Sequence, residues 1–282
     1  GSDIEDPYPL LDALRSRDPV HWSPLGAWCV TRHRDISAGL RDRRFSVDKS
    51  FLAGEVGAPA DPAQDPILHF CDNSMMFLDP PRHTRMRRLL ASAFEPGAVK
   101  RWRGSIERTT EELLAGLRAH PEPDVIRDFA FPLPTAVIAE MLGLPREDVP
   151  VLLNWTRDVA RMLDFVVSRE DRQVAQASAA SFTEYMRAHV RRRRRAGQST
   201  DDLLTRMLAA EADGERLTMD ELLANCLLLF SAGYITTTNT LGNAVLALSQ
   251  APEQARLLRA RPERIDRAVE ELLRFDGAVR QT

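Results

Sequence analysis

The chain has 282 residues, of which 44% are hydrophobic and 28% are charged, and both values are ordinary for a globular protein in water. The formal net charge of −3 gives no reason to expect a nucleic acid or an anionic membrane surface as a partner. No apolar run reaches the length needed to span a bilayer, and the N-terminus lacks the basic-then-apolar order of a signal peptide.

Strand signals are confined to the start of the chain. The segments PVHWSP (19–24) and GAWCVTRH (26–33) are short and rich in aromatic and β-branched residues, so they predict a small hairpin. From Asp35 onward the pattern is helical. We therefore predict a mainly α protein in which residues 1–282 form a single large helical domain with a small β hairpin near the N-terminus.

A stretch rich in Gly, Ala, Pro and Asp interrupts the helical pattern between Lys49 and Met75, and it predicts a long loop. Loops of this length in compact domains usually contribute to a ligand site, and a surface insertion without function is the alternative. Farther along, Arg191–Arg195 follow a helical segment. Cations there complement the helix dipole, so we interpret the run as a solvated helix end in preference to a nucleic-acid patch.

A long central helix is the most distinctive predicted element. Thr218 and Glu221 form a capping box, and no proline follows until Pro252, so a helix is predicted over residues 219–250. At 1.5 Å per residue it would be roughly 45 Å long. Its middle, ANCLLLFSAGYI, is apolar on every side, which requires burial in the core.

Three short clusters carry polar groups. In DPPRHTRMRRLL (79–90), His83 and Arg87 share a helix face and could grip carboxylates or phosphates, although such faces are more often solvated. In FSAGYITTTNT (230–240), threonines and a glycine suggest a local opening of the helix where a ligand approaches, with plain packing of small residues as the alternative. In VEELLRF (269–275), Glu271 and Arg274 have ion-pair spacing, which by itself says little.

In this order and at these spacings, the clusters resemble the haem-thiolate cytochrome P-450 superfamily, specifically its soluble bacterial class. DPPRHTRMRRLLASAF is similar to the family's C helix, AGYITTTN to the oxygen-binding motif of its I helix, and EELLR to the ExxR motif of its K helix. The resemblance covers nearly the whole chain. It implies the P-450 fold, with residues 49–75 as the B–C loop and residues 219–250 as the I helix.

The resemblance also implies a role for each matching residue of a haem site. His83 and Arg87 would hold the haem propionates. Ala232 and Gly233 would let the porphyrin and dioxygen approach the central helix. Thr236 would be the catalytic residue whose hydroxyl helps to deliver protons to bound oxygen.

The remaining matches concern structure and substrate. Glu271 and Arg274 would form a buried polar lock behind the haem. The substrate would contact the B–C loop and the central helix at Leu229, Tyr234 and Ile235. The family pattern departs at Ile235, because that position is usually Asp or Glu. An isoleucine relays no proton, and the phenol of Tyr234, with a reference pKa near 10, is a poor substitute.

A second departure is the iron ligand. In the family, the cysteine that ligates iron lies well downstream of the ExxR motif, and none of Cys29, Cys71 and Cys226 matches it. The widely spaced cysteines, without a CxxC pair, instead indicate free thiols in a reducing cytoplasm. The opening Gly1-Ser2 resembles a cloning remnant. We expect the C-terminal third of the P-450 fold to be absent, no metal ligand to be present, and the chain as written to lack monooxygenase activity.

The resemblance implies a haem-dependent monooxygenase that hydroxylates or epoxidises a lipophilic small molecule in bacterial secondary metabolism, with electrons from a ferredoxin and its reductase. The alternative is a haem-free homologue that assists a glycosyltransferase. The missing acid and thiolate suit that alternative, whereas His83 and Arg87 argue against it, because a protein without haem has no propionates to hold. A generic helical scaffold would leave the order of the three motifs as coincidence.

Overall fold

The computed structural model describes residues 7–48, 65–94, 96–163, 167–197 and 200–279. The described chain is mainly helical, as predicted. Its helices are α1 (Tyr8–Arg17), α2 (His33–Gly39), α3 (Pro66–Asn73), α4 (Arg82–Ala93), α5 (Pro96–Ala119), α6 (Pro132–Met141), α7 (Val149–Ala160), α8 (Arg169–Arg195), α9 (Leu203–Ala209), α10 (Met219–Gln250), α11 (Pro252–Ala260) and α12 (Ile265–Phe275). Its strands are β1 (Val20–Trp22), β2 (Trp28–Val30), β3 (Glu211–Ala212) and β4 (Glu215–Arg216).

The predicted hairpin is confirmed. Strands β1 and β2 pair antiparallel with Trp22 opposite Trp28, and the two indole rings meet edge to face with centroids 5.0 Å apart. A second, smaller hairpin joins β3 to β4 and was not predicted. Its turn residues Asp213 and Gly214 both have positive φ, so the Asp-Gly dipeptide was the available signal.

The central helix has the predicted limits. The Thr218 hydroxyl accepts from the Glu221 N–H, the Glu221 carboxylate accepts from the Thr218 N–H, and α10 then runs without interruption to Gln250. The local opening that the threonines suggested is therefore not found. The helix packs against α3, α6, α7 and α8, and the Phe230 ring meets Phe182 of α8 at a centroid distance of 6.2 Å inside the core.

The predicted loop between Lys49 and Met75 differs from the structure. Residues 49–64 lie outside the described residues, but Pro66–Asn73 form helix α3. Asp65 caps this helix by accepting from the backbone N–H groups of Ile67 and Leu68, and Ile67 and Leu68 are buried. The Asp-Pro pair before an apolar run is a helix-start signal that the loop interpretation overlooked.

Asp65 also joins α3 to α8. Its buried carboxylate accepts from Arg172 Nη2 at 3.0 Å and from Gln176 Nε2 at 2.9 Å. Burial, the largest single influence, raises the pKa of Asp65, but the bonds from Arg172, from the Leu68 and Ile67 N–H groups and from Gln176 together outweigh it, so the pKa lies below its ordinary value.

The arginine run is only partly a solvated helix end. Four of its members are exposed at the C-terminus of α8, but Arg193 is buried. Arg193 Nη2 donates to Asp202 Oδ2 at 2.6 Å, to Thr205 Oγ1 at 2.9 Å and to the Thr200 hydroxyl. Five consecutive helical residues cover more than a full turn, so one of them must face the protein, and here that residue is paired with a carboxylate at the start of α9.

Gly143 lies against this ion pair. It follows α6 with φ +63°, and a Cβ placed on it would be 2.7 Å from Arg193 Nη1 and closer still to Asp202 Oδ2. The N–H of Leu144 donates to the carbonyl of Ala139, which is the pattern of a helix end closed by a left-handed residue. Arg193 and Asp202 therefore occupy the space that a side chain on residue 143 would need.

Candidate functional site

The candidate site is one side of α10, formed by Ala232, Thr236, Asn239 and Thr240, which we call the open face. These residues recur at helical spacing, and each is exposed or half-buried, whereas Tyr234 on the opposite side is only 4% exposed. In its middle turns, α10 thus buries Phe230, Tyr234 and Thr238 on one side and presents small and hydroxylic side chains on the other.

The threonines of the open face bond back to the helix. Thr236 Oγ1 donates to the carbonyl of Ala232 at 2.8 Å, and Thr240 Oγ1 donates to the carbonyl of Thr236 at 2.8 Å. Such bonds to the carbonyl one turn earlier are typical of threonines inside a helix, and here they do not open α10. The hydroxyl protons are engaged, so the free lone pairs of these oxygens are what a ligand or water would meet first.

Two predicted site residues lie away from the open face. A Cβ on Gly233 would be 3.4 Å from Ile138 of α6, so the small size of Gly233 serves the contact between α6 and α10. Tyr234 packs edge-on against Phe131 at a centroid distance of 5.9 Å and is buried, and its role toward a substrate stays a prediction. Ile235 is half-buried against the core, and the only carboxylates in α10 are in its first turn.

Leu229 occupies an intermediate position. It is half-buried and packs against the core cluster, and it lies three residues before Ala232 and seven before Thr236, at spacings that place it on the same side of α10. A role toward a substrate stays a prediction for Leu229 and Ile235.

Helix α4 carries the two predicted propionate-binding residues. His83 is half-buried and Arg87 is exposed, both on the same flank of the helix. The other arginines of α4 are ion-paired: Arg85 with Glu215 and Glu221, Arg88 with Asp213, and Arg82 with Asp72. Arg87 has no ion pair with any residue in the described part of the chain, so its charge remains available to an anionic ligand.

Helices α4 and α10 are joined at two points that the sequence analysis missed. Arg85 Nη1 donates to Glu221 Oε1 at 2.7 Å. One turn later, the fully buried Asn225 of α10 lies with its Nδ2 3.5 Å from the sulfur of Met86. A polar residue in the apolar segment ANCLLLF was the available signal, because a buried amide must find partners.

The predicted pair at the end of the chain forms. Arg274 donates through Nη2 and Nε to the two oxygens of Glu271 at 2.6 and 2.8 Å. Its hydrogen bond lowers the pKa of Glu271 and raises that of Arg274. The side chains are 60% and 69% exposed respectively, so the expected burial of this pair is not found among the described residues. Helix α12 is held to α10 by Asn243 Nδ2, which donates to the carbonyl of Asp276 at 2.9 Å.

None of the three cysteines lies on the open face. Cys226 is buried in the core, and burial raises its pKa to about 12, so it is neutral near pH 7. Cys29 lies in strand β2 and Cys71 in α3. No group of three or more His, Cys, Asp or Glu side chains that could hold a metal ion occurs within the described ranges.

A family model described as Cytochrome P450 matches residues 56–271. The chain belongs to the cytochrome P450 family. The polyketide biosynthesis cytochrome P450 PksS of Bacillus subtilis (strain 168) is 34% identical over 97% of this chain and 67% of its own length. The cytochrome P450 monooxygenase PikC of Streptomyces venezuelae is 34% identical over 97% of this chain and 64% of its own length.

Solved cytochrome P450 structures share the fold. The crystal structure of P450BioI in complex with acyl carrier protein ligated to hexadec-9Z-enoic acid superposes with a TM-score of 0.86 at 33% identity, covering 96% of this chain and 69% of that one. The chain therefore spans about two thirds of the length of these relatives. In the parts of the chain that the structure describes, no helix has both the length and the apolarity that a membrane crossing requires.

The described residues fit part of a cytochrome P450 haem site. The unpaired Arg87 and its neighbour His83 on α4 suit the carboxylates of the propionates. The small Ala232 on the open face leaves room for a flat ligand beside α10. Cys226 does not fit an axial iron ligand, because its thiol is enclosed in the hydrophobic core.

Proposed function

We propose that the protein is a haem-dependent monooxygenase of bacterial secondary metabolism that oxidises a lipophilic small molecule. The observation that carries the proposal is the arrangement of α4 and α10. Helix α4 carries Arg87, which has no ion pair among the described residues, and α10 carries the small and hydroxylic residues of the open face. Contacts of Arg85 and Asn225 hold these two helices together.

His83 and Arg87 would hold the haem propionates. Arginine offers a planar pair of donors to a carboxylate, and such charge-assisted bonds are the stronger class of hydrogen bond. Haem, when bound, supplies the oxidation chemistry. The contribution of these two residues is to keep the cofactor in one orientation against α10.

Thr236 would govern protons on the distal side of the cofactor. Its hydroxyl donates to the carbonyl of Ala232, so in this state it accepts a hydrogen bond from a water or a substrate, and it becomes a donor after rotation about χ1. With Ile235 in the position next to it, the source of the proton must be water or a polar group of the substrate, because an alkyl side chain carries none.

The names of two relatives support the proposed class of reaction. PikC carries the name monooxygenase, and a relative from Sorangium cellulosum is named epothilone C/D epoxidase. A small-molecule substrate and electrons from a ferredoxin and its reductase are what we propose for this protein. The haem-free glycosyltransferase partner finds no support among these relatives, and an unpaired Arg87 favours a bound anion.

An absorption spectrum of the reduced protein with carbon monoxide tests the proposal. A thiolate-ligated haem gives a red-shifted Soret band, which is the expected result. The Thr236→Ala variant is the matched control and should keep that band, because Thr236 lies on the open face and is not an iron ligand. A full-length protein that folds but shows no Soret absorption after growth with added haem precursor would contradict the proposal.

A further inference from the structure

We infer that Asn225 is a positioning residue for the cofactor site: it fixes α4, which carries His83 and Arg87, against α10, which carries Ala232 and Thr236. The inference rests on the proposed function. It concerns a residue that lies outside the three sequence motifs and contacts none of the residues that would touch the haem or dioxygen.

Asn225 makes a full set of hydrogen bonds although it has no exposure to solvent. Its Nδ2 donates to the carbonyl of Asn73 at 3.0 Å and to the carbonyl of Glu221 at 2.7 Å. Its Oδ1 accepts from the N–H of Met75 at 3.1 Å. Both amide protons and the amide oxygen are used, so the side chain is held in one rotamer and one amide orientation.

The partners of Asn225 lie in the connection between α3 and α4. Asn73 ends α3, and the short 3-10 turn Met75–Phe77 follows it before the chain enters α4 at Arg82. Phe77 and Leu78 in this connection are buried. A side chain of α10 thus binds the connection on either side of Ser74, where α3 ends and the 3-10 turn begins, and the position of that turn determines where α4 begins.

The same asparagine also lies against α4 itself, through the contact with Met86. Met86 faces the core and is directly followed by Arg87. The contact between Asn225 and Met86 therefore fixes the position of Arg87 relative to the axis of α10. On α10, Ala232 is seven residues after Asn225 and Thr236 is eleven after it, which keeps all three on one side of the helix. About 16 Å of continuous helix separates Asn225 from Thr236.

Glu221 completes the joint. Its carboxylate binds Arg85 of α4, and its backbone carbonyl accepts from Asn225. Two successive turns of α10 therefore each bind α4 or the connection that leads into it. Removing the Asn225 amide would leave the half-buried carbonyl of Asn73 and N–H of Met75 without this partner, and the connection would shift to satisfy them.

The test compares Asn225→Ala with Asn154→Ala in the full-length, haem-loaded protein. Asn154 is an exposed residue of helix α7, so the control repeats the substitution without the buried bonds and away from the open face. Two quantities are measured: the rate of haem transfer to apomyoglobin, and the propionate-bending modes in resonance Raman spectra of the ferric protein. Asn225→Ser is measured in parallel, because its hydroxyl still reaches the carbonyl of Glu221 but not Asn73 or Met75, and it leaves a smaller cavity.

We expect Asn225→Ala to lose haem about tenfold faster than the parent, which corresponds to the loss of roughly one net buried hydrogen bond. Its propionate modes should shift, Asn225→Ser should shift them in the same direction, and Asn154→Ala should match the parent in both quantities. Variants that only melt at a lower temperature, with parental Raman modes and parental haem transfer, would overturn the inference and leave Asn225 a purely structural residue. A parent protein without any Soret band would instead contradict the proposed function.

Discussion

Gly143 offers a sharp test of the packing around the buried ion pair. Replacing it with alanine combines two costs: a side chain on a residue at φ +63°, and a Cβ within 2.7 Å of Arg193 Nη1 and nearer to Asp202 Oδ2. Gly197 provides the matched control, because it also follows the end of a helix, has φ +59°, and has no atom within 4 Å of its ideal Cβ position.

The two costs can be separated by the control. A left-handed conformation costs an alanine about 1–2 kcal/mol, and this term applies to both positions. Forcing a buried ion pair apart costs about 3–5 kcal/mol, less whatever the pair recovers by relaxation. We therefore expect Gly197→Ala to lower the free energy of unfolding by about 1 kcal/mol and Gly143→Ala to lower it by about 4 kcal/mol.

Urea denaturation followed by circular dichroism measures both free energies at one pH. Both variants are measured because the cost of the left-handed backbone, which they share, cancels in the difference between their free energies of unfolding. If the free energies of unfolding of the two variants differed by less than about 1 kcal/mol, with equal m-values, the backbone conformation alone would account for the need for Gly143. That result would refute the reasoning that the ion pair excludes a side chain there.

Three further outcomes are expected. Asp65→Asn should lower the free energy of unfolding by about 3 kcal/mol near neutral pH, since it leaves Arg172 without its buried partner. The pKa of Asp65 is lowered in the folded state, so the stabilisation by its carboxylate is complete above the unfolded pKa of about 4 and disappears as the pH falls through the folded-state pKa. Urea titrations should therefore show the difference in unfolding free energy between parent and variant narrowing in that pH range. Arg87→Ala should lower haem content with little change in the melting temperature of the haem-free protein, whereas Arg85→Ala should lower that melting temperature, because among the described residues Arg85 is ion-paired and Arg87 is not. Ile235→Glu should raise the fraction of reducing equivalents that appear in product, measured as product formed per NADPH consumed; an unchanged fraction would mean that protons arrive by another route.

The helical architecture was accessible from the sequence because its signals are local. The capping box of Thr218 and Glu221 and the absence of proline until Pro252 set the limits of α10 correctly. The hairpin of β1 and β2 followed from aromatic and β-branched residues around a turn. Such features depend on neighbours a few residues apart, so a single sequence contains them.

The errors arose where a local signal was weak or where tertiary packing decided the outcome. Helix α3 was read as loop because its eight residues follow a segment rich in proline and glycine. The direction of the Tyr234 ring could not be predicted from its motif, because it depends on packing against Phe131, which lies about a hundred residues earlier in the chain. The exposure of Glu271 and Arg274 likewise depends on what packs against α12.

The joint between α4 and α10 illustrates the limit more generally. Asn225 binds residues about 150 positions away, and no periodicity within one helix encodes such a contact. Its polarity inside an apolar segment showed that it needed partners, but their identity required the fold.

Two glycines of α10 also limit how this helix can move. Ile138 lies against Gly233 and Ile126 lies against Gly242, on different sides of the helix. A screw displacement by a single residue, about 1.5 Å along the axis, would bring larger side chains to both places and collide with both isoleucines. Steric contacts at these two glycines therefore prevent α10 from sliding along its axis. Conformational changes of this protein should instead bend α10 or move the surrounding helices relative to it.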